Sequence, residues 1–151
     1  MTFDNINIRP ELRSRINELG YTKATPIQEK AIPLILEGKD VLGGAQTGTG
    51  KTAAFVLPLL DKLSRNRSFF LDPRALIMAP TRELAAQVEE SVRSYGQNLN
   101  LRSTVIYGGV GINPQIERIE GGLDIIVGTP GRLLDLLNRK CLDLSRIEVL
   151  V

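Results

Sequence analysis

The sequence predicts an α/β fold, a parallel β-sheet flanked by helices. Three observations carry that prediction. Short apolar runs recur along the chain, and most are continuous, the pattern of strands covered on both faces. Amphipathic helical stretches separate them, as right-handed crossovers between parallel strands require. One passage runs from the apolar pair Val41-Leu42 through a glycine-rich turn, Ala45-Gln46-Thr47-Gly48-Thr49-Gly50-Lys51-Thr52, into the helix-like Ala53-Ala54-Phe55-Val56-Leu57.

Taken in order, the chain opens with helical signals. Pro10 suits the first turn of a helix reaching Leu19, with Gly20 at its C-terminal cap. Thr25-Pro26 reads as an N-cap and first helical residue, and that helix runs to about Leu36 with Gly38 just beyond. After the first strand at Val41-Leu42, further strands are expected at Ala75 to Met78, Ser103 to Tyr107, Asp124 to Val127 and Val149 to Val151. Helices lie between them. Arg82 to Tyr95 carries Leu84, Val88, Val92 and Tyr95 on one stripe, Pro114 to Ile119 carries Ile116 and Ile119, and Pro130 to about Asn138 carries Leu133, Leu134 and Leu137. The stretch Ser64 to Asp72, with Arg65-Asn66-Arg67-Ser68 ahead of Phe69-Phe70, is the expected exposed loop. No internal repeat or low-complexity tract interrupts this order.

Composition narrows the class. A chain of 151 residues is sized for one domain, and 19 basic against 17 acidic residues leave a charge of +2. So balanced a chain has no general basic field for a nucleic acid, and any such contact must come from placed residues. The single cysteine, Cys141, cannot close an internal disulfide, and with no histidine in the chain to activate it, it reads as a small side chain at a helix end. A reduced, cytoplasmic setting fits. No apolar run approaches membrane-spanning length, and the start Met-Thr-Phe-Asp-Asn has no signal-peptide pattern.

The glycine-rich turn has the chemistry of a phosphate cradle. Glycines let the backbone curl so that its N–H groups face phosphate oxygens, Lys51 reaches the β- and γ-phosphates, and the Thr52 hydroxyl ligates Mg²⁺. The strict pattern has Gly where this chain has Ala45. In a parallel sheet every strand-to-helix turn falls on the carboxyl edge, where ligands bind. Two further turns join the first there: Pro80-Thr81-Arg82-Glu83-Leu84-Ala85 and Gly128-Thr129-Pro130-Gly131-Arg132. Each offers a threonine cap and an arginine beside unpaired helix N–H groups, which attract phosphates. Each threonine alone could be a cap and nothing more, but recurrence on one edge points to a second polyanion. Gly108-Gly109 is either a flexible turn or a close approach of backbone to ligand. Aromatic residues make up 5% of the chain, too few for base-stacking platforms, so backbone recognition is the expectation.

Assembled, these residues resemble the N-terminal RecA-like domain of a DEAD-box RNA helicase. The resemblance spans Phe3 to Val151 in order and spacing. Ala45 to Thr52 is similar to that family's phosphate loop, where Ala in the first position is usual. Pro80 to Ala85 matches its Pro-Thr-Arg-Glu-Leu-Ala motif, while Gly108-Gly109 and Thr129-Pro130-Gly131-Arg132 match two RNA-facing motifs. Gly20-Tyr21 followed by Thr25-Pro26-Ile27-Gln28 resembles its adenine-recognition motif, with Ala24 where Pro is usual, and Phe3 stands seventeen residues before Gly20, where an isolated aromatic is expected. The resemblance implies that Gln28 bonds the adenine edge, Phe3 stacks on the base, and the backbone near Lys23 completes the pocket. An amide does match the N6/N7 pair of adenine, and a phenyl ring does supply an apolar face. Alone, Phe3 reads as a terminal hydrophobe packed on the domain.

The resemblance therefore implies a helical segment over 1–37 carrying the adenine motif and an ATP-binding RecA-like domain over 38–151. It implies ATP and Mg²⁺ as cofactors, RNA bound through its backbone with little sequence preference, and a second RecA-like domain as partner. In the family the strand read here as Val149-Leu150-Val151 runs into Asp-Glu-Ala-Asp, which holds Mg²⁺ and positions the attacking water. The initiating Met is present, so the chain reads as a front half ending short of those residues, able to bind but not to hydrolyse. Two rivals remain: a non-enzymatic, nucleotide-responsive RNA-binding module, and an unrelated phosphate-loop ATPase or GTPase. No Asn-Lys pair occurs in the chain, so the guanine signature of GTPases is absent.

Overall fold

The computed structural model describes residues 2–66 and 68–151; Met1, and Arg67 in the expected exposed loop, lie outside the described residues. The chain divides into two compact units, residues 1–66 with 91–100, and residues 67–90 with 101–151.

The first unit is helical. A 3-10 turn at Phe3–Asn5 precedes α1 (Pro10–Glu18), α2 (Pro26–Leu36) and α3 (Lys51–Arg65). Proline opens α1 and α2 because its missing N–H costs nothing at a position with no intrahelical acceptor. The core of α3 is Val56, Leu57, Leu59, Leu60 and Leu63, each at most 1% exposed, and α2 packs against it. Each such side chain contributes about 1.5–3 kcal/mol by leaving water. At the C-terminal end of α3 the buried Asp61 carboxylate accepts the Arg9 N–H at 2.8 Å and a two-pronged contact from Arg65 at 2.8 and 3.1 Å. That partnership raises the Arg65 pKa above its ordinary value, through hydrogen bonding first and charge second. It pins the entry of α1 to the end of α3.

The second unit holds the sheet. Strands β1 (Ala75–Met78), β2 (Ser103–Ile106), β3 (Ile125–Gly128) and β4 (Val149–Leu150) lie in the order β2-β3-β1-β4, all parallel. Met78 and Ile106 both pair with Gly128, so the three carboxyl ends are in register. The crossovers are α4 (Arg82–Tyr95), α5 (Asn113–Glu120) and α6 (Pro130–Asn138). Leu76, Ile106, Leu123, Ile126, Leu133, Leu136 and Leu142 form one core, with Ile112, Ile116, Ile119 and Cys141 packed on its margin. Gly128 lets α6 pack closely, since a Cβ there would meet Leu133 at 2.9 Å. Cys141 is the helix-end packing residue expected.

Three expectations are corrected. Val41-Leu42 is not a strand: it joins no ladder, and Leu42 is fully exposed. Two apolar residues between Asp40 and Gly43-Gly44 give too short a run to hold a register without a partner. The inward face of α6 is Leu133 and Leu136, whereas Leu134 is 59% exposed, because a residue one step from an inward position turns about 100° away. On α4 the buried apolar residues are Ala85, Val88 and Val92, with Glu89 buried beside them, and Leu84 faces out.

Candidate nucleotide and nucleic-acid sites

In the first unit the glycine-rich turn ends at Gly50, which sits in the left-handed region (φ 84°) as the N-cap of α3. Its carbonyl accepts two hydrogen bonds, from the Ala54 N–H at 3.1 Å and from Gln28 Nε2 at 3.1 Å. Gln28 is 6% exposed, and its Oε1 accepts the Thr25 N–H at 3.0 Å at the start of α2. One amide thus ties the head of α2 to the turn. The fit is close: a Cβ on Gly50 would collide with the Gln28 amide nitrogen and would lie 3.0 Å from Thr25 Oγ1. Within the turn the Thr49 hydroxyl donates to the Gln46 carbonyl, while Gln46, Thr47 and Gly48 are exposed and Ala45 is half-buried. Lys51 occupies the first helical position, exposed, with Thr52 beside it.

These residues fit a nucleotide's phosphates. The first N–H groups of α3 have no intrahelical acceptor, the helix start carries partial positive charge, and Lys51 adds a full one. Thr52 offers one hydroxyl toward a cation. Among the described residues no group of three or more His, Cys, Asp or Glu side chains gathers as a ready metal cage.

An isolated antiparallel bridge between Thr2 and Lys23 brings the N-terminal strand of chain to the segment leading into Thr25 and Gln28. Phe3 follows Thr2 directly, in the 3-10 turn. Its ring is 3% exposed and packs inward, the role its apolar character favours at a chain end.

In the second unit the ladder continues past the strands. The Ala79 N–H donates to the Gly128 carbonyl and the Thr129 N–H to the Ile106 carbonyl, both at 3.0 Å. This sets Pro80-Thr81-Arg82, Gly108-Gly109 and Thr129 to Arg132 at the carboxyl ends of three neighbouring strands. Thr81 caps α4, its Oγ1 accepting the Leu84 N–H at 3.2 Å. Thr129 takes the cap position of α6 without a side-chain cap bond. Gly109 is left-handed (φ 82°), and a Cβ on it would lie 3.3 Å from Arg82 Nη1, so the Arg82 guanidinium rests against this turn. Arg82 also pairs with Glu83 at 3.4 Å.

Arg132 is braced. Its Nη2 donates to the Val110 carbonyl at 2.9 Å and its Nη1 to Gln115 Oε1 at 3.1 Å, while Gln115 Nε2 donates to the Tyr107 carbonyl at 3.0 Å. Sequence reasoning missed Gln115. A signal existed, since Gln115 falls at helical spacing on the stripe of Ile112, Ile116 and Ile119, a polar residue where apolar ones face the core.

The family described as DEAD/DEAH box helicase matches residues 25–151. This chain belongs to that family. It is 48% identical to the DEAD-box ATP-dependent RNA helicase CshA of Streptococcus pneumoniae over 151 residues, all of this chain and 28% of that protein. It is 46% identical to the ATP-dependent RNA helicase CshA of Listeria monocytogenes over 149 residues, 99% of this chain and again 28% of the relative. Among solved structures it resembles a hypothetical ATP-dependent RNA helicase from Sulfolobus tokodaii, with a TM-score of 0.84 at 38% identity, over 95% of this chain and 40% of that one. The chain therefore spans just over a quarter of the curated relatives it matches. The phosphate turn, the two arginine-bearing helix starts and the glycine pair of this DEAD/DEAH box helicase domain all lie within the family match. Among the described residues no helix is long and apolar enough to cross a membrane.

Proposed function

We propose that this chain is the nucleotide- and RNA-backbone-binding part of an ATP-dependent RNA helicase that works in the cytoplasm together with a second RecA-like domain. The observation that carries the nucleotide reading is the left-handed Gly50 at the head of α3, held by Gln28. In this reading the turn from Ala45 to Thr52 wraps the phosphates, Lys51 pairs with the β/γ oxygens, and Thr52 gives one ligand to Mg²⁺. Bound Mg-ATP supplies the phosphoryl group to be transferred. Gln28 orients the adenine with the N–H and lone pair it has not spent on Gly50 and Thr25, and the Lys23 backbone closes the pocket.

RNA binding is assigned to the sheet edge of the second unit. Arg82 and Arg132 pair with phosphates, Thr81 and Thr129 add hydroxyls, and Pro80, Gly108, Gly109, Pro130 and Gly131 let the strand of RNA approach the backbone. No base-stacking ring stands among these residues, so recognition is indifferent to sequence.

The test is titration of Mg-ATP into the wild-type chain and into Lys51→Ala. Loss of most triphosphate affinity in the variant, with the unfolding midpoint retained, supports the reading. Undiminished binding refutes it.

A further inference from the structure

We propose that Gln115 is a positioning residue for the RNA-backbone site, acting through Arg132; the inference rests on the reading of that edge given above. The hydrogen bonds form a closed circuit. Gln115 donates to the Tyr107 carbonyl at 3.0 Å and accepts from Arg132 at 3.1 Å, and Arg132 donates to the Val110 carbonyl at 2.9 Å. Gly108 and Gly109 lie between the two bonded carbonyls, Tyr107 and Val110. A glycine pair is the part of a chain with most freedom to lose, and here both of its ends are clamped. The turn after β2 and the start of α6 are thereby held as one piece.

The chemistry allows one orientation of the amide. A carbonyl requires a donor, and a guanidinium requires an acceptor, so Nε2 must face Tyr107 and Oε1 must face Arg132. The anchor is firm, because α5 packs through Ile116 and Ile119 on the core of the sheet unit. Arg132 spends two of its five N–H donors on Gln115 and Val110, which leaves three for a phosphate in a fixed fork. Without Gln115 the guanidinium is held at one point only, and each phosphate contact must first order it.

The test is a double-mutant cycle on the full 151-residue chain. Fluorescence anisotropy with a labelled single-stranded RNA of mixed sequence reads affinity for Gln115→Ala, Arg132→Ala and the double variant. Gln115→Ala is expected to weaken binding about three- to tenfold, the worth of one such hydrogen bond. The double variant should bind within about twofold of Arg132→Ala alone, because the two residues act as a unit. Gln115→Glu keeps an acceptor for Arg132 but sets an oxygen against the Tyr107 carbonyl, and it too should lose affinity. In the NMR spectrum the Arg132 Nε–H signal should broaden in Gln115→Ala while the Ile116 and Ile119 methyl signals stay in place. Additive losses in the cycle, or wild-type affinity in Gln115→Ala with a weakened Arg132→Ala, would overturn the inference and leave the RNA-backbone reading standing. Wild-type affinity in both Arg82→Ala and Arg132→Ala would remove that reading, and this inference with it.

Discussion

The phosphate turn and the sheet edge both present helix starts to a ligand, yet different forces shape them. The turn from Ala45 to Thr52 has no ladder beneath it, and its form rests on left-handed glycines and on one amide, Gln28, bonded at Gly50. The edge formed by Thr81, Gly109 and Thr129 is set by three paired strands whose hydrogen bonds continue into the turns. The first site should therefore fail through single backbone changes. The second should lose affinity step by step as its side chains are truncated, and lose its shape only when strand and helix packing is disturbed.

Two glycines of the same turn break the comparison most directly. Gly48 and Gly50 share a left-handed φ, 81° and 84°, but a Cβ on Gly48 meets nothing within 4 Å, whereas on Gly50 it strikes Gln28. Gly48→Ala should cost about 1 kcal/mol from backbone strain alone. Gly50→Ala should cost about 2–4 kcal/mol and remove nucleotide binding, since strain and collision add. Urea unfolding of both variants checks this, and equal losses would mean that Gln28 does not shape the turn.

Next in size is Gly128→Ala. Its backbone is unstrained, so the expected cost of about 1–3 kcal/mol comes from pushing Leu133 and α6 off the sheet. RNA affinity should fall with it while ATP affinity stays, measured by anisotropy and calorimetry on the same preparation.

Smaller still is the effect of the exposed arginines. Each phosphate neutralised contributes roughly −0.7 to the slope of log affinity against log salt, so two arginines give about −1 to −2. Arg82→Ala should flatten that slope by about 0.7 with no change in sequence preference. A salt-independent affinity would detach Arg82 from the phosphates.

Turnover sharpens the contrast between binding and chemistry. Hydrolysis needs a carboxylate at the end of a neighbouring strand to share the metal with Thr52. Asp124 stands before β3, where it accepts the Arg102 N–H at 2.8 Å, and Asp135 is paired with Arg139 on α6. Neither is at a carboxyl end. A phosphate-release assay on the chain should stay at background with RNA present, and RNA-stimulated release lost in Lys51→Ala would contradict this.

Much of the fold was legible because the punctuation is strong. Thr81 before Arg82, and Thr129-Pro130, set the starts of α4 and α6 to the residue, and continuous runs such as Ala75 to Met78 gave the buried strands. What escaped was decided by tertiary packing. Val41-Leu42 looks like a strand until a partner is required, and Leu134 and Leu84 look like core until the helix phase is fixed by their neighbours. Phe3 could be read as a stacking ring or a core residue, and the fold buries it. At the sites the motif residues were legible, but not what holds them. Gln28 was read as a ligand for adenine, and its grip on Gly50 has no sequence signature; Gln115 was one polar residue on an apolar stripe.

The central claim is that the turn and Gln28 together form a site for adenine nucleotides. Calorimetric titration of Mg-ATP and Mg-GTP into the wild-type chain and Gln28→Ala tests it most directly. The account predicts that wild type prefers ATP by about tenfold or more, the worth of a well-placed amide on a base edge, and that Gln28→Ala loses both the preference and part of the affinity. Equal binding of ATP and GTP by the wild-type chain would contradict it.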